Sequence, residues 1–315
     1  MSALDEFGEI ARLFRPLTRG AAGAFDLLDD AAVVPQRPGF DLVITKDAIV
    51  EGVHFLTGED PGLVGRRLAR VNLSDLAAKG AEPFAAFLAV MWPARFGATE
   101  RAAFAAGLGV DLKDAGVALM GGDTVVTPGP FTASLTALGW VPAGRMVRRA
   151  GAQVGDRLMV SGHIGDGWLG LGAARGEIAD AEGYLAGRYR LPTPRRDLRK
   201  IVLEHATAAA DVSDGLIADA GHIAAASGVG LVLDLDLTPL SAPARAWLHA
   251  QPDRPAALIA LASGGDDYEI VATSAVALPG FTVIGEVVAG QGMQVLVGGK
   301  PIDPGPGGWR HGAPR

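Results

Sequence analysis

Carboxylates recur along this chain where a folded protein cannot leave them idle. Asp29 and Asp30 stand between two apolar runs in AFDLLDDAAVV, and Asp47 follows the strand-like run Leu42-Val43-Ile44. Asp75 falls four residues after Val71 in a helical pattern, so it lies on or beside that helix's apolar face. Asp123 follows an apolar run and Gly121-Gly122. Asp211 and Asp214 bracket Ser213 ahead of a helical stretch, and Asp266-Asp267 follow Gly264-Gly265. Taken singly, each can be read as a turn or a helix cap. An ionised carboxylate facing an apolar interior is costly unless it is paired or holds a cation. Hard divalent ions take carboxylate and carbonyl oxygens, and Mg2+ adds substrate phosphate oxygens. Phosphoryl transfer asks mainly for positioning and charge neutralisation of this kind. A glycosidase needs only two carboxylates and usually sugar-stacking aromatics, and aromatic residues make up 6% here.

Length and composition fit that chemistry. The 315 residues suit two domains, with 49% apolar residues to fill their cores. The 44 Gly and 20 Pro are spread without a period, which predicts many tight loops. A net charge of −7 argues against nucleic acid as the main partner. It does not argue against phosphates bridged by Mg2+. With no Cys there are no disulfides, thiolate nucleophiles or Cys-type zinc sites, and the six His show no HExxH or other close ligand spacing. The first residues lack a signal-peptide core, and no run of about 18 apolar residues predicts a membrane span. A soluble cytoplasmic protein is expected.

Periodicity predicts an amphipathic helix over Phe7–Leu17 and a strand from Asp41 that turns polar at Thr45-Lys46-Asp47. A helix opens at Pro61, strands cover Phe84–Met91 and Phe131–Val141, and a helix capped by Thr99 runs to Ala115. Gly121-Gly122-Asp123 reads either as a phosphate-approaching loop or as a hairpin turn. The Gly-rich, basic stretch Pro142–Gly155 is the best domain boundary. Beyond it, Gly165-Asp-Gly167-Trp-Leu-Gly170 fits GxGxxG, but no convincing strand follows at Ile178–Leu185, so a dinucleotide site is disfavoured. Ser213 or Asp214 is expected to cap the helix after Gly215, whose N-terminus would suit an anion. Leu231–Leu237 reads as a strand with Asp234 and Asp236 facing solvent.

Taken in order, DEFGEIARLF, DDAAVV, TKDAIVEGVHF, ARVNLSDLAAKGAEP, GGDT, DVSDGL, GGDDYE and the terminal GGW make the chain resemble the thiamine-monophosphate kinase family. That family belongs to the ATP-dependent superfamily of aminoimidazole ribonucleotide synthetase and selenophosphate synthetase. The resemblance implies an α/β fold of layered α+β type. It would have an N-terminal metal- and ATP-binding domain (residues 1–144), whose sheet pairs with a second copy in a homodimer, and a C-terminal α/β domain (145–315). It implies transfer of the ATP γ-phosphate to the phosphate of thiamine monophosphate, with several Mg2+ ions and no general base. By resemblance Asp30, Thr45, Asp47, Asp75, Asp123 and Asp211 would ligate Mg2+, and Asp214 a further ion. Gly122, Asp123, Arg149 and Ser213 would contact ATP. His54, Asp266 and Trp309 would hold the thiamine phosphate, with Trp309 stacking on a substrate ring.

Three positions depart from the family pattern. Leu28 stands where a Gly usually precedes the acid pair, Asp266 replaces a Glu, and Lys46 replaces a Thr. A Lys ammonium cannot ligate a metal, so either its backbone oxygen does or the ammonium faces a phosphate. Two other functions remain open on these residues: another ATP-dependent reaction of the superfamily, or non-catalytic binding of a metal or a thiamine phosphate.

Overall fold

The computed structural model describes residues 6–305, 307 and 308. They fall into two compact units, one holding the chain up to Leu76 together with Ala81–Arg145, the other Ala77–Gly80 and the chain from Met146 onward. Both mix helices with sheets, an α/β architecture of layered α+β type.

The first unit opens with a helical stretch that changes type along its length: α1 (Glu6–Glu9), a π-turn over Ile10–Phe14 and a 3-10 turn over Arg15–Thr18. The expected amphipathic helix is therefore broken up. Pro16 falls in its last turn, where it removes a backbone donor. Phe7, expected on the apolar face, is 77% exposed, whereas Phe14 is buried. Next come β1 (Phe40–Val50), α2 (Pro61–Ala78), β2 (Glu82–Pro93), α3 (Ala98–Asp114), β3 (Ala118–Thr127) and β4 (Thr132–Pro142). The sheet order is β1-β4-β2-β3. β2 and β3 pair in parallel across the α3 connection, and β4 is antiparallel to both β1 and β2. Helices pack against the side of the sheet carrying Leu88, Val90, Trp92 and Leu135, all buried with Leu68 and Phe104. Trp92 stacks on Phe131 at 5.5 Å and meets Phe104 edge-on at 5.4 Å.

Two expected turns are strand. β1 runs straight through Thr45-Lys46-Asp47, and β3 runs through Gly121-Gly122-Asp123, so neither a hairpin nor a loop forms there. Pairing of both segments with central strands outweighs the local preference of Lys, Asp and Gly for turns. α3 is capped by Gly97 rather than Thr99, and the Glu100 carboxylate reaches back to the Gly97 N–H at 2.9 Å.

The second unit holds a seven-stranded sheet ordered β11-β10-β7-β9-β5-β8-β6. Its strands are β5 (Arg157–Ser161), β6 (Ala208–Asp211), β7 (Gly230–Asp234), β8 (Ile270–Ser274), β9 (Phe281–Val288), β10 (Gly292–Val297) and β11 (Lys300–Ile302). Its helices are α4 (Asp166–Ala174), α5 (Tyr184–Arg190), α6 (Arg199–His205), α7 (Leu216–Ser227), α8 (Ala242–His249) and α9 (Arg254–Ser263). The core is apolar and dense, with Leu158, Val160, Ile164, Leu216, Ile223 and Ile284 fully enclosed. β7 stops at Asp234, short of the expected Leu237. There the Asp234 side chain accepts the Asp236 N–H and starts a 3-10 turn.

Candidate functional site

Three groups of polar side chains emerge, two in the first unit and one in the second. β1 supplies the first. Thr45 and Asp47 are two residues apart on one strand, so they share a face. The Thr45 hydroxyl donates to the Asp75 carboxylate of α2. Burial, and secondly the Asp75 charge, push the Asp47 carboxyl up to about 7. Asn72, one turn before Asp75, accepts the Asp47 N–H at 3.3 Å, and the Ser134 hydroxyl donates to the Asp47 carbonyl at 2.9 Å. Three hard oxygen donors are thus held together in a part-buried place. Their mutual repulsion is what a divalent cation would relieve, so these residues fit Mg2+. Lys46, between them, leaves the sheet on the other face, where its ammonium donates to Thr136 at 3.3 Å. That contact turns it away from the Thr45–Asp47 face.

β3 supplies the second group. A cleft of about 520 Å3 is lined by Asp29, Asp30, Met120, Gly122, Asp123 and Thr124, among others. Strand pairing aligns Asp47 with Leu135, Leu135 with Leu88, and Leu88 with Gly122. Asp123 pairs with Ala89, one step off that row, so its side chain leaves the opposite face. Asp47 and Asp123 therefore stand on the two edge strands, about 14 Å apart across three strand spacings, pointing to different sides. Gly122 is required for close packing, because a Cβ there would lie 2.0 Å from the Leu88 carbonyl oxygen. Gly122→Ala should weaken the β2–β3 edge by roughly 1–3 kcal/mol, read as a lower melting temperature; an unchanged melt would contradict this packing. Ahead of Asp29-Asp30, Phe25, Asp26 and Leu27 all adopt positive φ (47°, 56° and 58°), a costly backbone for residues with a Cβ. Leu28 itself has an ordinary φ of −105°, so this chain needs no Gly at that position.

His54 follows the tight turn after β1, where Gly52 has φ +77°. Its Nδ1 accepts the Val50 N–H at 3.1 Å.

In the second unit, buried Asp211 ends β6 and Ser213-Asp214 lead into α7. Neither Ser213 nor Asp214 caps the helix. Gly215 occupies the cap position, and the backbone N–H groups of Ser213 and Asp214 both donate to Asp219 Oδ2 at 3.1 Å. Asp219 is fully buried, and burial followed by the Asp214 charge raises its carboxyl to about 7. The Arg149 charge acts on it in the opposite sense. The Asp266 N–H donates to the Ser213 carbonyl at 2.9 Å and the Tyr268 N–H to Val212 at 2.8 Å, lacing the two acidic loops together. Asp266 and Tyr268 both sit at positive φ, 62° and 53°. The loop is held from behind. Asp267, wholly enclosed and pushed up to about 8 by burial, accepts the N–H groups of Gly165 and Gly167 at 2.8 and 2.9 Å. This is the GxGxxG segment, and the protein's own carboxylate fills the helix N-terminus where a pyrophosphate would lie. Trp309 lies outside the described residues.

Sequence reasoning missed Asp219, Asn72 and the Glu269 brace described below. Asp219 could have been found: Asp219-x-x-His222 is a three-residue spacing on one helix, which puts both side chains on one face. Ligand atoms of Asp214, Asp219 and His222 all lie within 4.8 Å of one another. His222 therefore does have a close spacing to a carboxylate, contrary to the expectation that no His has one.

Residues 28–141 match the family described as AIR synthase related protein, N-terminal domain, and residues 153–298 its C-terminal domain. A Caulobacter vibrioides protein named thiamine-monophosphate kinase is 54% identical over 98% of this chain and 91% of its own length. The crystal structure of thiamine-monophosphate kinase from Stenotrophomonas maltophilia superimposes with a TM-score of 0.81 at 36% identity, covering 95% of this chain and 98% of that one. AaThiL complexed with AMPPCP and TMP gives a TM-score of 0.79 at 32% identity, covering 97% and 96%.

Proposed function

Because the chain belongs to the thiamine-monophosphate kinase family and is a phosphotransferase of that kind, we propose that it moves the γ-phosphoryl group of ATP onto the phosphate of thiamine monophosphate, releasing ADP and thiamine diphosphate. The acceptor is an anionic phosphate oxygen, so no side chain has to remove a proton. The observation that most supports this reading within the chain is the Thr45–Asp47–Asp75 group, three oxygen donors gathered with two acids in mutual repulsion.

Residue roles are those that the resemblance to the family implies. Asp30, Thr45, Asp47, Asp75, Asp123 and Asp211 are proposed to ligate Mg2+, and Asp214 a further ion. When bound, Mg2+ neutralises charge on the phosphates. The exposed backbone at Gly122, with Asp123, Arg149 and Ser213, is assigned to ATP. His54, Asp266 and Trp309 are assigned to the thiamine phosphate. Asp266 is shorter than the family's Glu by one methylene, and its left-handed backbone sets where the carboxylate starts.

A homodimer is part of this proposal. Asp47 and Asp123 stand on opposite edges and faces of the first unit's sheet, so one cation shell containing both needs a second copy of that unit. Ile44 on β1 and Val126 on β3, 61% and 62% exposed, are apolar side chains for such pairing. Among the described residues no helix is long and apolar enough to cross a membrane, and the cytoplasm is the proposed location.

The test is an assay of the purified protein with ATP, Mg2+ and either thiamine or thiamine monophosphate. Thiamine diphosphate should form from the monophosphate alone. ADP release with other acceptors, and none with this one, would assign the scaffold to a different reaction. Nucleotide binding without turnover would leave a binding protein.

A further inference from the structure

The turn that carries His54 is held at both ends by one buried carboxylate. The Glu51 N–H donates to the Phe131 carbonyl at 2.9 Å, so the β1–β4 pairing runs one residue past Val50. Alternation then puts Glu51 on the side of the strand that also carries Thr45 and Asp47. Glu51 is 9% exposed, and both of its oxygens are used. Oε1 accepts the Gly58 N–H at 3.3 Å, at the far end of the turn. Oε2 accepts the Phe131 N–H at 3.1 Å, just before β4, and meets the Arg95 guanidinium from the connection between β2 and α3. Burial opposes ionisation, yet the Arg95 hydrogen bond and the Phe131 and Gly58 N–H groups hold the carboxyl below its ordinary range. Inside the turn, the Gly52 N–H donates to the Phe55 carbonyl at 2.7 Å and the His54 N–H to the Val50 carbonyl at 2.9 Å. Phe55 is buried and meets Phe131 edge-on at 5.8 Å. Phe131 thus anchors the turn through its ring, while Glu51 ties the backbone of that same residue to both ends of the turn.

We propose that Glu51 is a positioning residue for the substrate end of the site: clamped between Arg95, Phe131 and Gly58, its carboxylate fixes the turn so that His54 is presented to a thiamine phosphate in one conformation. The arrangement depends on a carboxylate. Three donors converge on Glu51, and two acceptor oxygens take them all. An amide has one acceptor oxygen and brings N–H donors of its own, so Glu51→Gln keeps the shape and loses the contacts at one end of the clamp. Glu51 is not itself a phosphate ligand, because two anions repel; it acts through His54. A turn ordered before the substrate arrives does not have to be ordered on binding. Loosening it should therefore weaken the thiamine phosphate and leave the nucleotide alone. The inference rests on the assignment of His54 to the thiamine phosphate in the kinase reading, and it adds a residue which that reading does not name.

The experiment measures binding of thiamine monophosphate to the full chain by calorimetry, with Mg2+ and a non-hydrolysable ATP analogue present, alongside hydrogen exchange over residues 50–58. In Glu51→Gln the dissociation constant for thiamine monophosphate should rise at least about ten-fold while that of the nucleotide stays within about two-fold, and exchange should quicken over 50–58 but not in β2 or β3. Added to His54→Ala, Glu51→Gln should weaken binding by less than about two-fold further, because both act through one side chain; losses that multiply would overturn the inference. Arg95→Gln changes a half-exposed position and should weaken thiamine monophosphate in the same direction by about three-fold, which decides the matter if Glu51→Gln does not fold. Unchanged affinity in the folded variant, or equal weakening of thiamine monophosphate and nucleotide, would overturn the inference and leave the kinase reading standing. A parent chain that binds thiamine monophosphate, loses it in Glu51→Gln and transfers no phosphate would refute the kinase reading and leave Glu51 in its role. A parent chain that does not bind thiamine monophosphate would overturn both.

Discussion

Asp47→Asn should cut turnover by roughly 100-fold or more while leaving the fold intact, the scale seen when one preorganised electrostatic group is lost from a reacting centre. The amide keeps the shape of the carboxyl and both backbone contacts of residue 47, to Asn72 and Ser134. It removes the charge that a cation would use. The same substitution has a second signature in the metal-free protein. Burial and the neighbouring Asp75 hold the Asp47 carboxyl up to about 7, against an ordinary Asp value of 3.8. Below the lower value both folded and unfolded chains are protonated there, and residue 47 carries no penalty. As pH rises towards the folded value the unfolded chain releases its proton first, so native stability from this group is progressively lost. The melting temperature of Asp47→Asn should therefore match the parent near pH 4 and exceed it increasingly up to about pH 7–8. A near-normal turnover number would mean Asp47 does not act on the phosphates. A melting difference independent of pH would mean its carboxyl is not under this strain.

Glu269→Ala should be the most destabilising single change among the polar residues of the second unit. Glu269 is 3% exposed and accepts from the Ser161 hydroxyl at 2.6 Å, Arg195 at 2.9 Å and Arg188 at 3.3 Å. Arg188 and Arg195 are themselves largely covered, at 14% and 19% side-chain exposure. Removing the carboxylate leaves two guanidinium groups without their shared partner, a loss of about 3–5 kcal/mol. Arg188 also donates to the Asp267 carbonyl at 3.2 Å, so the loop carrying Asp266 should loosen with it. Equilibrium urea unfolding measures the loss, and a change under about 1 kcal/mol would show that the pair of Arg is adequately solvated without Glu269. Glu269→Gln, which keeps two acceptor contacts, should fall between.

The proposed site chemistry rests on residue type and spacing. The clustering of Asp at element ends, the absence of Cys and the scarcity of aromatics are the features on which the proposal of cation-assisted phosphate chemistry stands. Element types were less legible where local preference and pairing disagree. Thr45-Lys46-Asp47 and Gly121-Gly122-Asp123 look like turns because Asp and Gly favour turns, yet each is strand because a neighbouring strand supplies its hydrogen bonds. Cap positions shifted for a similar reason. Ser213 and Asp214 are good caps in isolation, but a buried Asp219 further along the helix takes both of their N–H groups.

The sequence by itself determined the ingredients: an α/β chain, acidic oxygen donors in a fixed order, and glycines where backbone must come close. Alternation along β1 alone put Thr45 and Asp47 on one side and Lys46 on the other. Only the tertiary structure decided which donors meet. Thr45 reaches Asp75, thirty residues away, because α2 packs across the sheet face that β1 shares with Leu135 and Leu88. Asp123 is kept from Asp47 because β4 and β2 are inserted between their strands. Asp267 closes the GxGxxG helix to any outside anion because a loop about a hundred residues later folds back onto it. Such meetings depend on strand order and long-range packing, which no local pattern of residues encodes.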